Sequence, residues 1–380
     1  MPRTLTSSIG SRRIAYIAAI SYILFFLVLF RFFRGFSVDS YGRLWHFFVS
    51  YSDFGMARRA LIGTIVQGSH IGSLIGEYQL AYALHALTVG ILAACLARLA
   101  STGIYKLRGF DALALFFSPA LIVYQGYNTG SLDLYLIFLS VFVLFYSGRW
   151  QIPLTVLAVV LGCFIHEAFM FMAPFLLGLR LVAESRERPK RQLRLMLLLL
   201  PAISMVLLGT YLTLVGQSAP DYEEYIRVIS ARIPISAAVK YPNWDGYFEL
   251  YSSLRANTLE RLVDLRAFAS SAHLVILPLL YSLACSANFC YMASPRFGVG
   301  NSIILSAYSL FPTFILIGDF YRWVSLACVL SLLGCLRLWR ESECRQPLWL
   351  SICLLFAIAF VSFGHVLSRP FPFWQAFFGV

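Results

Sequence analysis

The chain has 380 residues, enough for two or three soluble domains, yet 59% of them are hydrophobic and only 13% are charged, and the mean hydropathy is +0.76. A water-soluble fold has no interior large enough for that much apolar surface, which argues against a soluble globular protein. The net charge of +12 would suggest nucleic acid in a soluble chain; in a membrane protein such a surplus records orientation.

In chain order, the long apolar runs predict about eleven transmembrane helices, at 14–33, 77–97, 110–126, 133–147, 152–165, 168–182, 195–215, 272–292, 301–317, 323–336 and 348–367. The first follows Arg12 and Arg13, has no small-residue cleavage site after it and is long enough to span, so it reads as an uncleaved helix and not a signal peptide. A cytoplasmic N-terminus places the basic run Arg180, Arg186, Arg188, Lys190, Arg191 and Arg194 inside, and with it the whole +12 surplus; the inverted topology breaks the positive-inside rule. The expected fold is therefore an all-α polytopic membrane protein, N-in and C-out, with residues 1–380 as a single transmembrane domain in a bacterial plasma (inner) membrane and no nucleic-acid partner. All eight cysteines fall in spans or on the cytoplasmic side of this topology, so no disulfide framework is expected.

Two external segments are too long to be mere connectors. Residues 34–76 hold the aromatic stretch Tyr41, Leu44, Trp45, Phe47, Phe48 and Tyr51, expected to lie in the membrane interface as a short helix. Residues 216–271 mix charge with apolar positions (Tyr225, Ile226, Ile229, Ile233, then Leu254, Leu259, Leu262, Leu265), which predicts extracytoplasmic amphipathic helices broken at Pro242, Asn243 and Gly246.

Two apolar stretches are interrupted by charge at their centres, residues 152–182 at His166-Glu167 and residues 301–336 at Gly318-Asp319-Phe320-Tyr321-Arg322-Trp323. Each half is about 15 residues, or about 22 Å of helix, short of a hydrocarbon core of about 30 Å. Two short interrupted hairpins are thus expected, their turns sunk below the external surface and lining a recess, an arrangement that points to a substrate site.

The basic residues that disobey the orientation rule are Arg31, Arg34, Arg43, Arg58 and Arg59, all arginine, which favours bidentate recognition of phosphate over a diffuse positive field. Snorkelling to lipid headgroups accounts equally well for Arg31 and Arg34. Arg58 and Arg59 precede Ala60-Leu61-Ile62-Gly63-Thr64-Ile65-Val66, too short to span, so the pair is carried into or against the membrane, where a guanidinium needs a phosphate or a carboxylate. Asp53 is either that carboxylate, in a structural ion pair with Arg58 or Arg59, or a general base facing an acceptor hydroxyl. Asp133 reads as a residue of a first helical turn.

His166-Glu167 is the strongest single signal, because charge inside an apolar stretch costs about 2.5–3.5 kcal/mol per group unless it is paired or faces water. A neutral His beside Glu is a candidate proton acceptor; the alternative is a buried polar pair pinning two half-helices. Asp319 and Arg322 either bridge each other at i, i+3, or Arg322 completes a phosphate site that Asp319 orients. His46, His273 and His365 read as amphipathic packing, and neither His70 nor His85 has a context that raises it. There is no Walker loop, no dinucleotide glycine pattern, no external Asp-x-Asp and no metal-ligand spacing. No metal or cofactor is expected, and arginine is the expected source of neutralising charge.

On Asp53-Phe54-Gly55-Met56-Ala57-Arg58-Arg59, His166-Glu167 and Gly318-Asp319-Phe320-Tyr321-Arg322-Trp323, with the long external loop and the helix count, the chain resembles polytopic bacterial envelope enzymes of the C-superfamily of glycosyltransferases. More narrowly, it is similar to the repeat-unit polymerases of O-antigen and exopolysaccharide assembly. The resemblance implies a polyprenyl-phosphate or polyprenyl-diphosphate glycan donor, an acceptor glycan and action on the external face. Arg34, Arg58, Arg59 and Arg322 would then hold the diphosphate, and Asp53, His166 or Glu167 would deprotonate the acceptor hydroxyl. Tyr222, Tyr225, Tyr241, Trp244, Tyr247 and Tyr251 would stack on sugar rings or anchor the interface. The missing Asp-x-Asp departs from metal-dependent oligosaccharyl transferases. Alternatives are a single-sugar transferase using a polyprenyl-phosphate sugar, a lipid-linked-glycan transporter or flippase, and a membrane acyltransferase with His166 as base.

Overall fold

The structure is a computed structural model that describes residues 45–55, 57, 59–70, positions between 79 and 95, 132–184, 190–214, 222–232, 272–315, 320–341, 362–364 and 370–372. The fold of these residues is all-helical apart from one three-residue strand pair. The expected spans 14–33 and 110–126, and residues 233–271 of the second external segment, lie outside them.

A short 3-10 turn at Trp45–Phe47 leads into α1, Tyr51–Phe54, and α2, Leu61–Gly68. The bundle proper begins with α3, Asp133–Phe145, thirteen residues without Gly or Pro, ended by the Ser147-Gly148 turn. The expected hairpin follows as α4, Gln151–Ile165, and α5, Phe169–Glu184. Gly162 makes its turn tight: a Cβ there would stand 2.4 Å from the Phe169 ring, so only glycine lets the two halves close on the His166-Glu167 corner. Next come α6, Lys190–Leu214, α7, Tyr222–Arg232, within the expected second external segment, α8, Ala272–Phe297, α9, Val299–Ser309, and α10, Phe320–Glu341.

Two expectations are corrected here. The span 301–317 is an 11-residue helix followed by a 3-10 turn, Phe311–Ile315; Pro312 has no N–H to continue an α-helix. The second half of that hairpin, α10, has 22 residues and is not short. Within the expected last helix, 348–367, residues Ser362–Gly364 are instead a strand, β1, antiparallel to β2, Pro370–Pro372, with Phe363 opposite Phe371. Proline's fixed φ suits extended backbone and resists a helix interior.

The helices pack as α3 against α4, α5 and α10, α5 against α6 and α9, and α8 against α9 and α10. Segments of α6 and α8, Gln192–Tyr211 and Ile276–Phe297, are long and apolar enough to cross a membrane. Apolar side chains stand on the outside of the bundle as well as in its core. Ile152, Val156, Leu157 and Val160 of α4, Leu195, Leu198, Ile203 and Val206 of α6, and Ile276, Leu277 and Leu280 of α8 are exposed. Between α8, α9 and α10 the interior holds a serine ladder: Ser286 and Ser306 hydroxyls at 2.6 Å, Ser309 to Ser286 at 3.2 Å and Ser331 to Ser309 at 2.9 Å.

A second, smaller core joins residues of segments 34–76 and 216–271, the two expected to be external. Phe47, Phe48, Val49, Phe54, Ala57 and Val66 pack with Tyr225 and Ile229 of α7, the i, i+4 pair that one helix face presents. Phe54 and Tyr225 rings lie 5.5 Å apart. Tyr225 is fully buried, so it builds this core and does not stack on a sugar.

Candidate functional site

Antiparallel alternation brings the first turns of α3 and α10 and the α4–α5 corner to one end of the bundle. The loop before α2 reaches the same place. Together they gather Asp133, His166, Glu167, Arg322, Trp323 and Arg59, and both arginines lie within electrostatic reach of His46 and His166. At the opposite end arginine does a different job. Arg180 donates to the carbonyls of Val143 and, at 2.9 Å, Tyr146, and Arg337 donates to Leu144 at 2.8 Å. These cations satisfy the last carbonyls of α3, where the helix dipole is negative.

Arg322 is held by Asp133. Nε donates to Oδ2 at 2.7 Å and Nη2 to Oδ1 at 2.7 Å, and the side chains are 9% and 0% exposed. Asp133 sits in the first turn of α3 as expected, with Leu132 at the N-cap position, and its two oxygens also receive hydrogen bonds from a guanidinium 189 positions away. Arg322 also lies over the Trp323 ring, 5.0 Å from its centroid. The carboxylate expected to bridge it, Asp319, is outside the described residues.

Arg59 is held by Glu167. Nη2 donates to Oε1 at 2.5 Å and Nε to Oε2 at 3.2 Å, with side chains 9% and 17% exposed. Arg59 has φ 59°, the left-handed region that strains a non-glycine residue and persists only where the surroundings enforce it. They do so here. Gly63 lies so close to the preceding segment that a Cβ would stand 1.9 Å from the Val49 carbonyl oxygen. Tyr51 N–H donates to Thr64 Oγ1 at 2.8 Å, and Gln67 Nε2 to the Phe48 carbonyl at 3.0 Å. Asp53 is exposed and receives the Ser50 hydroxyl. Arg58 and Arg34 lie outside the described residues.

His166 ends α4 in extended backbone (φ −161°, ψ 127°) and is fully buried. Its Nδ1 is 3.5 Å from Glu167 Oε2 and also 3.0 Å from the Ala168 amide. An amide can only donate, so Nδ1 is the acceptor and the ring hydrogen sits on Nε2. His166 therefore offers a hydrogen-bond donor where a proton acceptor was expected, and Glu167 remains as the acceptor of the pair. The imidazole meets the Trp323 ring edge-on at 6.0 Å.

His46, set aside on sequence grounds, is buried beside this group, and burial, then Arg59 and Arg322, push its pKa well below the ordinary 6.5. Its residue type carried no fixed charge to mark it. Among the described residues no three His, Cys, Asp or Glu side chains are grouped to hold a metal ion. The chain matches no known protein-family model, no curated protein and no solved structure.

Proposed function

We propose that the protein is a polytopic, N-in and C-out membrane glycosyltransferase of bacterial cell-envelope polysaccharide assembly. It polymerises or transfers a glycan from a polyprenyl-diphosphate donor on the extracytoplasmic face without a metal. The membrane placement is supported by the rows of exposed apolar side chains on α4, α6 and α8 and by the hydrogen-bonded serines between helices, which suit lipid as the solvent. The site is supported by one observation above the others: Glu167, oriented by Arg59 and still partly exposed, converges with His166, Asp133 and Arg322 at the bundle end opposite the arginine-capped one.

In the transfer, the acceptor hydroxyl oxygen bonds to the anomeric carbon, the bond from that carbon to the phosphate oxygen breaks, and polyprenyl diphosphate leaves with the electron pair. The hydroxyl proton passes to Glu167, with Asp53 as the other candidate base. Arg59 and Arg322 already have carboxylate partners, so in this reading Arg59 orients Glu167, Arg322 clamps α10 to α3, and Arg58 and Arg34 face the diphosphate.

Purified protein in proteoliposomes, given labelled polyprenyl-linked glycan extracted from the native membranes, tests the reading. A longer glycan supports it, addition of one sugar replaces it with the single-sugar transferase, and movement of lipid-linked glycan without covalent change replaces it with a transporter. Arg58→Ala and Glu167→Gln variants that form product at the wild-type rate overturn the assigned roles.

A further inference from the structure

Transfer chemistry leaves two buried groups at this site without a task. The His166 Nε2 hydrogen follows from the Ala168 amide on Nδ1, and the Trp323 indole Nε1 can only donate. His166 is fully buried and Trp323 is 5% exposed, and neither nitrogen has a hydrogen-bond partner among the described residues. Their rings are in edge contact, 6.0 Å between centroids, and the His166 ring also lies beside Glu167 through its other nitrogen, Nδ1. Native proteins rarely leave a buried N–H without an acceptor, because its lost hydration goes uncompensated. Two such groups side by side call for an incoming atom that accepts.

The surrounding charge narrows its chemistry. At this end of the bundle Arg59 is matched by Glu167 and Arg322 by Asp133, so these four groups sum to no net charge. A phosphate would meet two carboxylates as well as two arginines already engaged. A neutral sugar fits better: its hydroxyl, ring or amide oxygen accepts from the two N–H groups, and a sugar hydroxyl donates to Glu167. We propose that His166 Nε2–H and Trp323 Nε1–H form a subsite that hydrogen-bonds a glycan oxygen and not a phosphate oxygen. The glycan's identity as substrate rests on the glycosyltransferase reading; the donor pair does not.

The test uses full-length protein in nanodiscs with 15N-labelled indoles, the Trp323 signal being assigned by its loss in Trp323→Phe. Polyprenyl-linked glycan from the native membranes is expected to shift that signal, and undecaprenyl diphosphate without sugar is expected to leave it in place. Trp323→Phe removes the N–H but keeps a smaller aromatic side chain, so KM for the glycan should rise about five- to tenfold while the melting temperature falls modestly and the helical circular-dichroism signal is retained. His166→Phe, which removes the neighbouring donor, should raise the same KM. An equal shift with the sugar-free lipid, no shift with either, or wild-type KM in both variants overturns the subsite. Transfer activity with an unmoved Trp323 signal sinks the subsite and leaves the transferase standing. A glycan-specific shift without transfer keeps the subsite and sinks the transferase.

Discussion

Two arginine–carboxylate pairs sit at the same end of the bundle and differ in what holds them. Asp133 and Arg322 both belong to first turns of helices, and the pair is almost wholly shielded. Arg59 and Glu167 both sit in turns, Arg59 in strained left-handed backbone, and Glu167 keeps 17% of its side chain exposed. Rigid helices and full burial suit a clamp. A partly open carboxylate held by an arginine in strained backbone suits a group that meets a substrate, since strained residues cluster at functional sites. Under the proposed function, Asp133–Arg322 is then the structural pair and Arg59–Glu167 the working one.

The sharpest way to break that comparison is to remove one partner of the clamp. Asp133→Asn leaves the Arg322 charge buried with a weaker acceptor, and loss of a partner in a buried pair costs about 3–5 kcal/mol. Unfolding in detergent should register most of that, and Asp133→Leu combined with Arg322→Leu should recover much of it. A single variant as stable as wild type removes the clamp. Glu167→Gln is expected to behave the other way. Transfer should fall at least about a hundredfold, the low end for loss of a general base, while the unfolding midpoint moves less than in Asp133→Asn. Equal stability losses in the two variants would erase the distinction between the pairs.

Helix existence was legible from hydropathy, with α3, α4 and α5 within two residues of the expected 133–147, 152–165 and 168–182. The ends of α6 and α10 were not. Lys190, Arg191 and Arg194 start α6, and Arg337, Arg340 and Glu341 finish α10; charged residues stop an apolar run but are good helix formers. The site was half legible. His166 and Glu167 stood out because charge interrupts an apolar stretch, but partner choice is tertiary, spanning 108 and 189 positions in the two pairs. Asp133 could not be separated from an ordinary first-turn acid, since its sequence neighbours suit that role equally well. The tautomer of His166 follows from one backbone amide and has no trace in the sequence.

A smaller effect should follow from loosening only the strained loop. Gly63→Ala drives a Cβ toward the Val49 carbonyl oxygen, a backbone atom that cannot rotate away, and overpacking of this kind costs about 1–3 kcal/mol. The shift of α2 should displace Arg59 and leave Asp133–Arg322 untouched. Transfer should therefore fall further than stability does. Parallel loss of both would mean that the loop contributes packing alone.

The smallest effect sharpens the comparison through pH. Burial and then the Arg59 and Arg322 guanidinium groups hold the His46 pKa well below 6.5 in the folded protein, against a smaller opposing pull from Glu167. Unfolded His46 takes up a proton near 6.5, and folded His46 does not until a lower pH. Between those two values the unfolded chain binds more protons, so stability falls as pH falls, by no more than about 1.4 kcal/mol per pH unit for one group. Above the ordinary histidine range the contribution is constant. His46→Gln removes the titration, so its stability relative to wild type should improve steadily as pH drops below 6.5 and stay flat on the alkaline side. A parallel pair of stability curves would show that neither burial nor the two arginines lowers the His46 pKa in the folded protein. Repeating the comparison in Arg59→Gln and Arg322→Gln backgrounds separates their contributions, since each lost guanidinium should reduce the acid sensitivity that His46 confers.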